Sequence, residues 1–135
     1  MAQAQSGASG KERPLSPHLM IYKPLPTMVM SILHRITGAA LYFGTALVAW
    51  WLIAMASGPQ AFDTANAVFG SLIGRLVLFG YTWALVHHML GGLRHFLWDT
   101  GLGLEKHFAT KLAWATLFGS ATLTEIIWII GYAAR

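Results

Sequence analysis

No charged residue lies between Arg35 and Asp63. A helix needs about 20 predominantly apolar residues to cross the hydrocarbon core of a bilayer, and this stretch exceeds that. A soluble domain carries about 25% charged residues, whereas this 135-residue chain carries 10% and is 56% hydrophobic. The sequence therefore predicts an all-α integral membrane protein.

Two further apolar segments follow the first. Helix I is expected to start at Thr27, just after Pro26, and to run to Ala56, where Ser57-Gly58-Pro59 ends it. Helix II is expected over Ala65 to Trp98. Its uncharged part, Leu76 to Leu93, is barely long enough alone, and Asp99-Thr-Gly-Leu-Gly marks its exit. Helix III is expected over Lys111 to Ala134, and Ser57–Asn66 reads as a loop. Ahead of the spans, Met1 to Glu12 is rich in Gly, Ser, Ala and Gln and reads as a flexible tail. Arg13 to Pro26 holds four of the five prolines and should lie, irregular, at the headgroup level. The chain thus divides into an N-terminal tail and interfacial segment, 1–26, and a three-helix membrane domain, 27–135. The first twenty residues hold no apolar run, so no cleavable signal peptide is expected.

The absence of cysteine excludes disulfides and thiolate ligation of haem or iron–sulfur clusters by this chain. The net charge of +4 reads as topology and not as nucleic-acid binding. Lys11, Arg13, Lys23 and Arg35 precede or open helix I, and Arg94, Lys106 and Lys111 surround the connection between helices II and III. The Ser57–Asn66 segment has no Lys or Arg, and the C-terminus has only Arg135. This bias predicts the N-terminus inside and the C-terminus outside.

Two clusters of chemically capable residues then share the inner side. The first closes helix II: His88-Met-Leu-Gly-Gly92-Leu-Arg94-His95-Phe-Leu-Trp-Asp99. Histidine in membrane-buried sequence is costly to keep and suggests function. Residues seven apart on a helix share a face, which puts His88, Gly92, His95 and Asp99 on one stripe. A flat cofactor needs an imidazole ligand, close backbone approach and charged groups at its polar edge, and this stripe offers each. Neutral imidazole is an axial ligand for haem iron, while Gly91 and Gly92 would leave room for a macrocycle. His87 competes with His88 but sits about 100° round the helix. Arg94, His95 and Asp99 lie about 10 Å of helix rise beyond His88, the level haem propionates would reach. The plainer readings are a histidine bonded to a neighbouring helix and cations at a helix C-terminus.

The second cluster is Thr27, Ser31, His34, Arg35 and Gly38 at the start of helix I. Ser31 and Arg35 are i and i+4, so hydroxyl and guanidinium are neighbours. A quinone needs donors to its carbonyl oxygens at the membrane edge, and this pair suits one. An Arg that snorkels to the headgroups is the alternative. Trp50, Trp51, Trp98, Trp114 and Trp128 read as interfacial aromatics. Arg75 and Glu125 interrupt helices II and III, and a pairing between them is conceivable although their depths match poorly.

Arg13-Pro-Leu-Ser-Pro-His-Leu-Met-Ile-Tyr22, then Ser31-Ile-Leu-His-Arg-Ile-Thr-Gly38, then His88-x-x-x-Gly-x-Arg-His95 with Asp99, resemble the large membrane-anchor (cytochrome b) subunits of bacterial and mitochondrial succinate dehydrogenase, respiratory complex II. The resemblance runs from Arg13 to about Gly101, with helix III matching only as an apolar span. It implies three transmembrane helices packed against a second anchor subunit in a bacterial or mitochondrial inner membrane. It implies one haem b between the two anchors, with His88 as an axial ligand to the iron and the other ligand from the second anchor. Ser31 and Arg35 would line a ubiquinone site near the iron–sulfur subunit. His34, Arg35 and His95 would lie near the haem propionates. The flavoprotein subunit would join through the complex. The resemblance transfers no role to His87 or Glu125. The expected function is to anchor the complex and pass electrons from the iron–sulfur subunit to ubiquinone, with no dicarboxylate chemistry in this chain. A haem-free structural or assembly subunit is the alternative, and a stand-alone cytochrome b is a third reading.

Overall fold

The computed structural model describes residues 14–134, so the expected tail Met1–Glu12 and Arg13 lie outside the described residues. Four helices follow one another: α1 Pro26–Ser57, α2 Pro59–Gly70, α3 Leu72–Asp99 and α4 Lys106–Ala133. Among the described residues there is no strand. The helices α1, α3 and α4 are each long and apolar enough to cross a membrane. At 1.5 Å rise per residue they reach about 42–48 Å, beyond the roughly 30 Å hydrocarbon core. The chain is an all-α membrane protein.

The first span begins where Pro26 takes an N-terminal helical position, at which its missing N–H costs nothing. It ends at Gly58, whose φ of 116° and ψ of 174° belong to a region open essentially only to glycine. Pro59 then starts α2 at once. The segment expected as a loop, Ser57–Asn66, is therefore mostly helix. The second span also starts later than expected: Ala65 to Gly70 belong to α2, and Ser71 separates the two helices. Ser71 is extended (φ −64°, ψ 162°), and its Oγ accepts a bond from the Gly74 N–H at 3.0 Å. That serine cap satisfies one of the free N–H groups of the α3 terminus. Gly74 makes the turn possible, because a Cβ there would collide with the Val68 carbonyl and the Phe69 backbone. Lys106, five residues ahead of the expected start, opens α4.

The helix α3 is central, packing against α1, α2 and α4. Its neighbours come close because the interior is made of small side chains. Met30, Thr37, Gly44 and Ala54 face inward from α1; Gly74, Ala84 and Gly91 from α3; Ala113, Thr116, Ser120 and Thr124 from α4. Small residues at helix contacts are the usual device where lipid, as apolar as leucine, removes the hydrophobic drive for helices to associate. Gly44 gives the clearest instance, since a Cβ there would run into the Tyr81 ring. Side-chain hydrogen bonds supplement the packing. Trp51 Nε1 donates to Asn66 Oδ1 at 3.1 Å between α1 and α2, and Trp128 Nε1 to Thr82 Oγ1 at 3.2 Å between α4 and α3. Large apolar side chains such as Tyr42, Phe43, Leu72 and Ile73 point outward, as a lipid- or protein-covered surface requires.

Candidate functional site

The N-terminal half of α1 and the C-terminal half of α3 meet at one end of the bundle, and this brings the two sequence clusters together. The imidazoles of His34 and His88 stack with centroids 3.9 Å apart and planes within 5°. The His95 ring lies 5.2 Å from that of His34, tilted by 55°. Two glycines make the stack possible. A Cβ on Gly91 would collide with the His34 ring, and one on Gly38 would come within 3.0 Å of His88 Cε1. The expectation that Gly91 and Gly92 together clear room for a macrocycle needs correction. Gly91 is buried and its space is filled by His34, whereas a Cβ on Gly92 meets nothing within 4 Å.

The hydrogen bonds of His88 decide which ring nitrogen is free. Its Nδ1 lies 3.1 Å from the His34 carbonyl oxygen and 3.4 Å from Thr37 Oγ1. A carbonyl only accepts, so the geometry assigns the proton to Nδ1. The Thr37 hydroxyl points its own proton at the carbonyls of Leu33, at 2.9 Å, and His34, at 3.0 Å, leaving its lone pairs toward the ring. Nε2 of His88 is then unprotonated with its lone pair available. Fixing the tautomer through the other nitrogen is how metal-ligating histidines are oriented.

His87 is placed quite differently. It is completely buried, its Nδ1 is 3.1 Å from Ser120 Oγ on α4, and its ring lies 5.1 Å from that of Trp83. Ser120 donates its proton to the Leu117 carbonyl at 2.9 Å, so it accepts from His87. One histidine thus ties α3 to α4 inside the bundle, while its neighbour faces α1 and is only half-buried.

The remaining site residues divide by burial. Ser31 is half-buried; Arg35, His95 and Asp99 are exposed. Arg94, expected level with the polar edge of a cofactor or, in the plainer reading, solvating a helix end, is 4% exposed, with its guanidinium 5.0 Å over the Trp98 ring. Its Nε and Nη1 have no hydrogen-bond partner among the described residues, nor has His34 Nδ1. A buried guanidinium is costly unless paired, so this end of the bundle suits an anion brought from outside the described residues. Sequence reasoning missed the burial because a charge next to a helix end ordinarily reaches water.

This end therefore offers an imidazole oriented through its Nδ1, a buried guanidinium with no partner for its Nε and Nη1 among the described residues, and a backbone face at Gly92 where a Cβ would meet nothing within 4 Å. A family model described as the succinate dehydrogenase/fumarate reductase transmembrane subunit matches residues 9–127, extending well into α4. The chain is similar to the succinate dehydrogenase cytochrome b556 subunit of Paracoccus denitrificans, 44% identical over 118 residues that cover 87% of this chain and 91% of that protein. It is 36% identical to the protein of that name from Rickettsia prowazekii, over 87% of this chain and 92% of the relative. Against the mitochondrial succinate dehydrogenase cytochrome b560 subunit of Sus scrofa it is 38% identical over 100 residues, 70% of this chain and 57% of that protein.

Proposed function

We propose that this chain, which belongs to the succinate dehydrogenase/fumarate reductase transmembrane subunit family, binds haem b and forms part of a ubiquinone site in a succinate:ubiquinone oxidoreductase. It is a multi-pass inner-membrane anchor subunit. The observation that carries the proposal is the placement of His88: its Nδ1 donates to the His34 carbonyl and its half-buried ring leaves Nε2 for a metal, whereas His87, whose Nε2 also has no partner among the described residues, is wholly buried.

In this reading His88 Nε2 would ligate the haem iron, with a second anchor subunit supplying another ligand. His34, Arg35 and His95 would hold the haem carboxylates through charge-assisted hydrogen bonds, and Gly92 would leave room for the group. A bound haem b supplies a one-electron carrier in a low-dielectric setting. Ubiquinone reduction consumes two electrons and two protons. Ser31 donates a hydrogen bond to a quinone carbonyl oxygen, and Arg35, one turn on, polarises the same oxygen and favours negative charge developing there. The exposed position of Arg35 lets it meet a quinone bounded by the iron–sulfur subunit. Succinate oxidation falls to the flavoprotein subunit.

Purification of this chain in mild detergent should bring down a second anchor, an iron–sulfur subunit and a flavoprotein, with a b-type band in the reduced-minus-oxidised spectrum. A chain that emerges with those subunits but without the band is a haem-free structural subunit, and the proposal fails.

The Lys and Arg bias places the site end inside. A reporter enzyme fused after Arg135 should therefore be active on the outer side, and one inserted between Gly101 and Lys106 on the inner side. Finding both on one side would contradict three spans.

A further inference from the structure

At the opposite end of the bundle, where α1 gives way to α2, all four helices bound a cavity of about 750 Å³. That is within the roughly 300–1,000 Å³ range of small-molecule sites. We propose that it binds one phospholipid, with an acyl chain between the helices and the phosphodiester on Arg75. The site stands apart from the histidine cluster and does not depend on haem or quinone binding.

The lining decides the chemistry of the occupant. Leu47, Val48, Leu78 and Ile127 make the walls apolar, and three of the polar groups among them are spent within the protein. Both indoles donate within the protein, Trp51 to Asn66 and Trp128 to Thr82, and the Thr82 hydroxyl donates to the Leu78 carbonyl at 2.8 Å. Along these apolar walls a hydrocarbon chain needs no hydrogen-bond partner, and the Tyr132 hydroxyl, which also lines the cavity, bonds to nothing among the described residues. Among the described residues Arg75 is the one charged residue that lines the cavity, and no acidic residue does. It is exposed and lies in the first turn of α3, where the backbone partial charge is also positive. Guanidinium matches a phosphate with two parallel hydrogen bonds. An apolar slot with, among the described residues, one cation and no acidic group, at a helix N-terminus, is complementary to a monoanionic amphiphile, and the surrounding bilayer supplies phospholipid.

Two glycines make the idea testable without disturbing the protein. Gly70 and Gly131 line the cavity, and a Cβ built on either meets nothing within 4 Å. A larger side chain there takes space from the occupant and not from a neighbouring helix. The complex, purified in mild detergent as wild type, Arg75→Gln, Arg75→Lys and Gly131→Leu, is assayed for bound phospholipid by phosphorus content and mass spectrometry. Delipidated samples are then titrated with dioleoyl phosphatidylglycerol in mixed micelles while thermal unfolding is followed. Wild type should keep one phospholipid per chain more than Gly131→Leu and should gain thermal stability from the added lipid. Arg75→Gln should bind it roughly tenfold more weakly, as loss of a charge-assisted hydrogen bond implies, and Arg75→Lys should keep most of the affinity. An unchanged b-type spectrum shows that the variants are folded. The proposal is overturned if Gly131→Leu retains the wild-type lipid count, if ubiquinone-10 stabilises in place of phospholipid, or if Gly131→Leu sheds a partner subunit while its lipid is unchanged.

Discussion

Replacing His88 by Ala is expected to abolish or nearly abolish the b-type haem signal, while His87→Ala largely keeps it. The two side chains are adjacent in sequence and face different helices. His88 has its Nδ1 on the His34 carbonyl and its Nε2 free; His87 is fully buried against Ser120. Removing His88 deletes a ligand. Removing His87 deletes an interior hydrogen bond, which costs about 1 kcal/mol, together with a packing loss on the α4 side. The measurement is the reduced-minus-oxidised difference spectrum, normalised to the amount of assembled complex. Loss of haem from His87→Ala alone would transfer the ligand to the wrong face of α3 and undo the assignment. Gly92→Leu tests the same site from the backbone side. A Cβ there meets nothing within 4 Å, so an ordinary packing role predicts little effect, whereas a leucine in space reserved for a macrocycle should lower haem content.

Ser31→Ala and Arg35→Ala should lower electron transfer from succinate to ubiquinone. They should leave succinate oxidation with a soluble dye acceptor largely intact, because that route takes electrons ahead of the quinone pocket. Losing a neutral hydrogen bond costs about 1 kcal/mol and a charged one about 1.5–3 kcal/mol. At about 1.4 kcal/mol per tenfold, Ser31→Ala should cost several-fold and Arg35→Ala a further factor of a few. Arg35 also faces the propionates in this reading, so haem content is read in the same preparation. If both variants keep full ubiquinone reductase activity with haem and assembly normal, the pocket lies elsewhere and Arg35 is a snorkelling anchor.

The three spans, their approximate limits and the stripe through His88, Gly92, His95 and Asp99 were legible in the residues themselves. Span existence depends on hydropathy summed over about 20 residues, and a stripe depends on the fixed 100° step of a helix; neither needs a neighbour. The break at Ser71 was not legible, because Ala65 to Leu93, interrupted by the single charge of Arg75, reads as one helical stretch and a serine cap shows itself only when the backbone turns there. The tertiary structure alone decided the rest. It put His34 into the space left by Gly91, set Gly92 facing outward, sank Arg94 beneath the surface and turned His87 toward Ser120. All four depend on how α3 is rotated between α1 and α4. That rotation is set by which small residues let two backbones approach, a property of pairs of helices that no single segment carries.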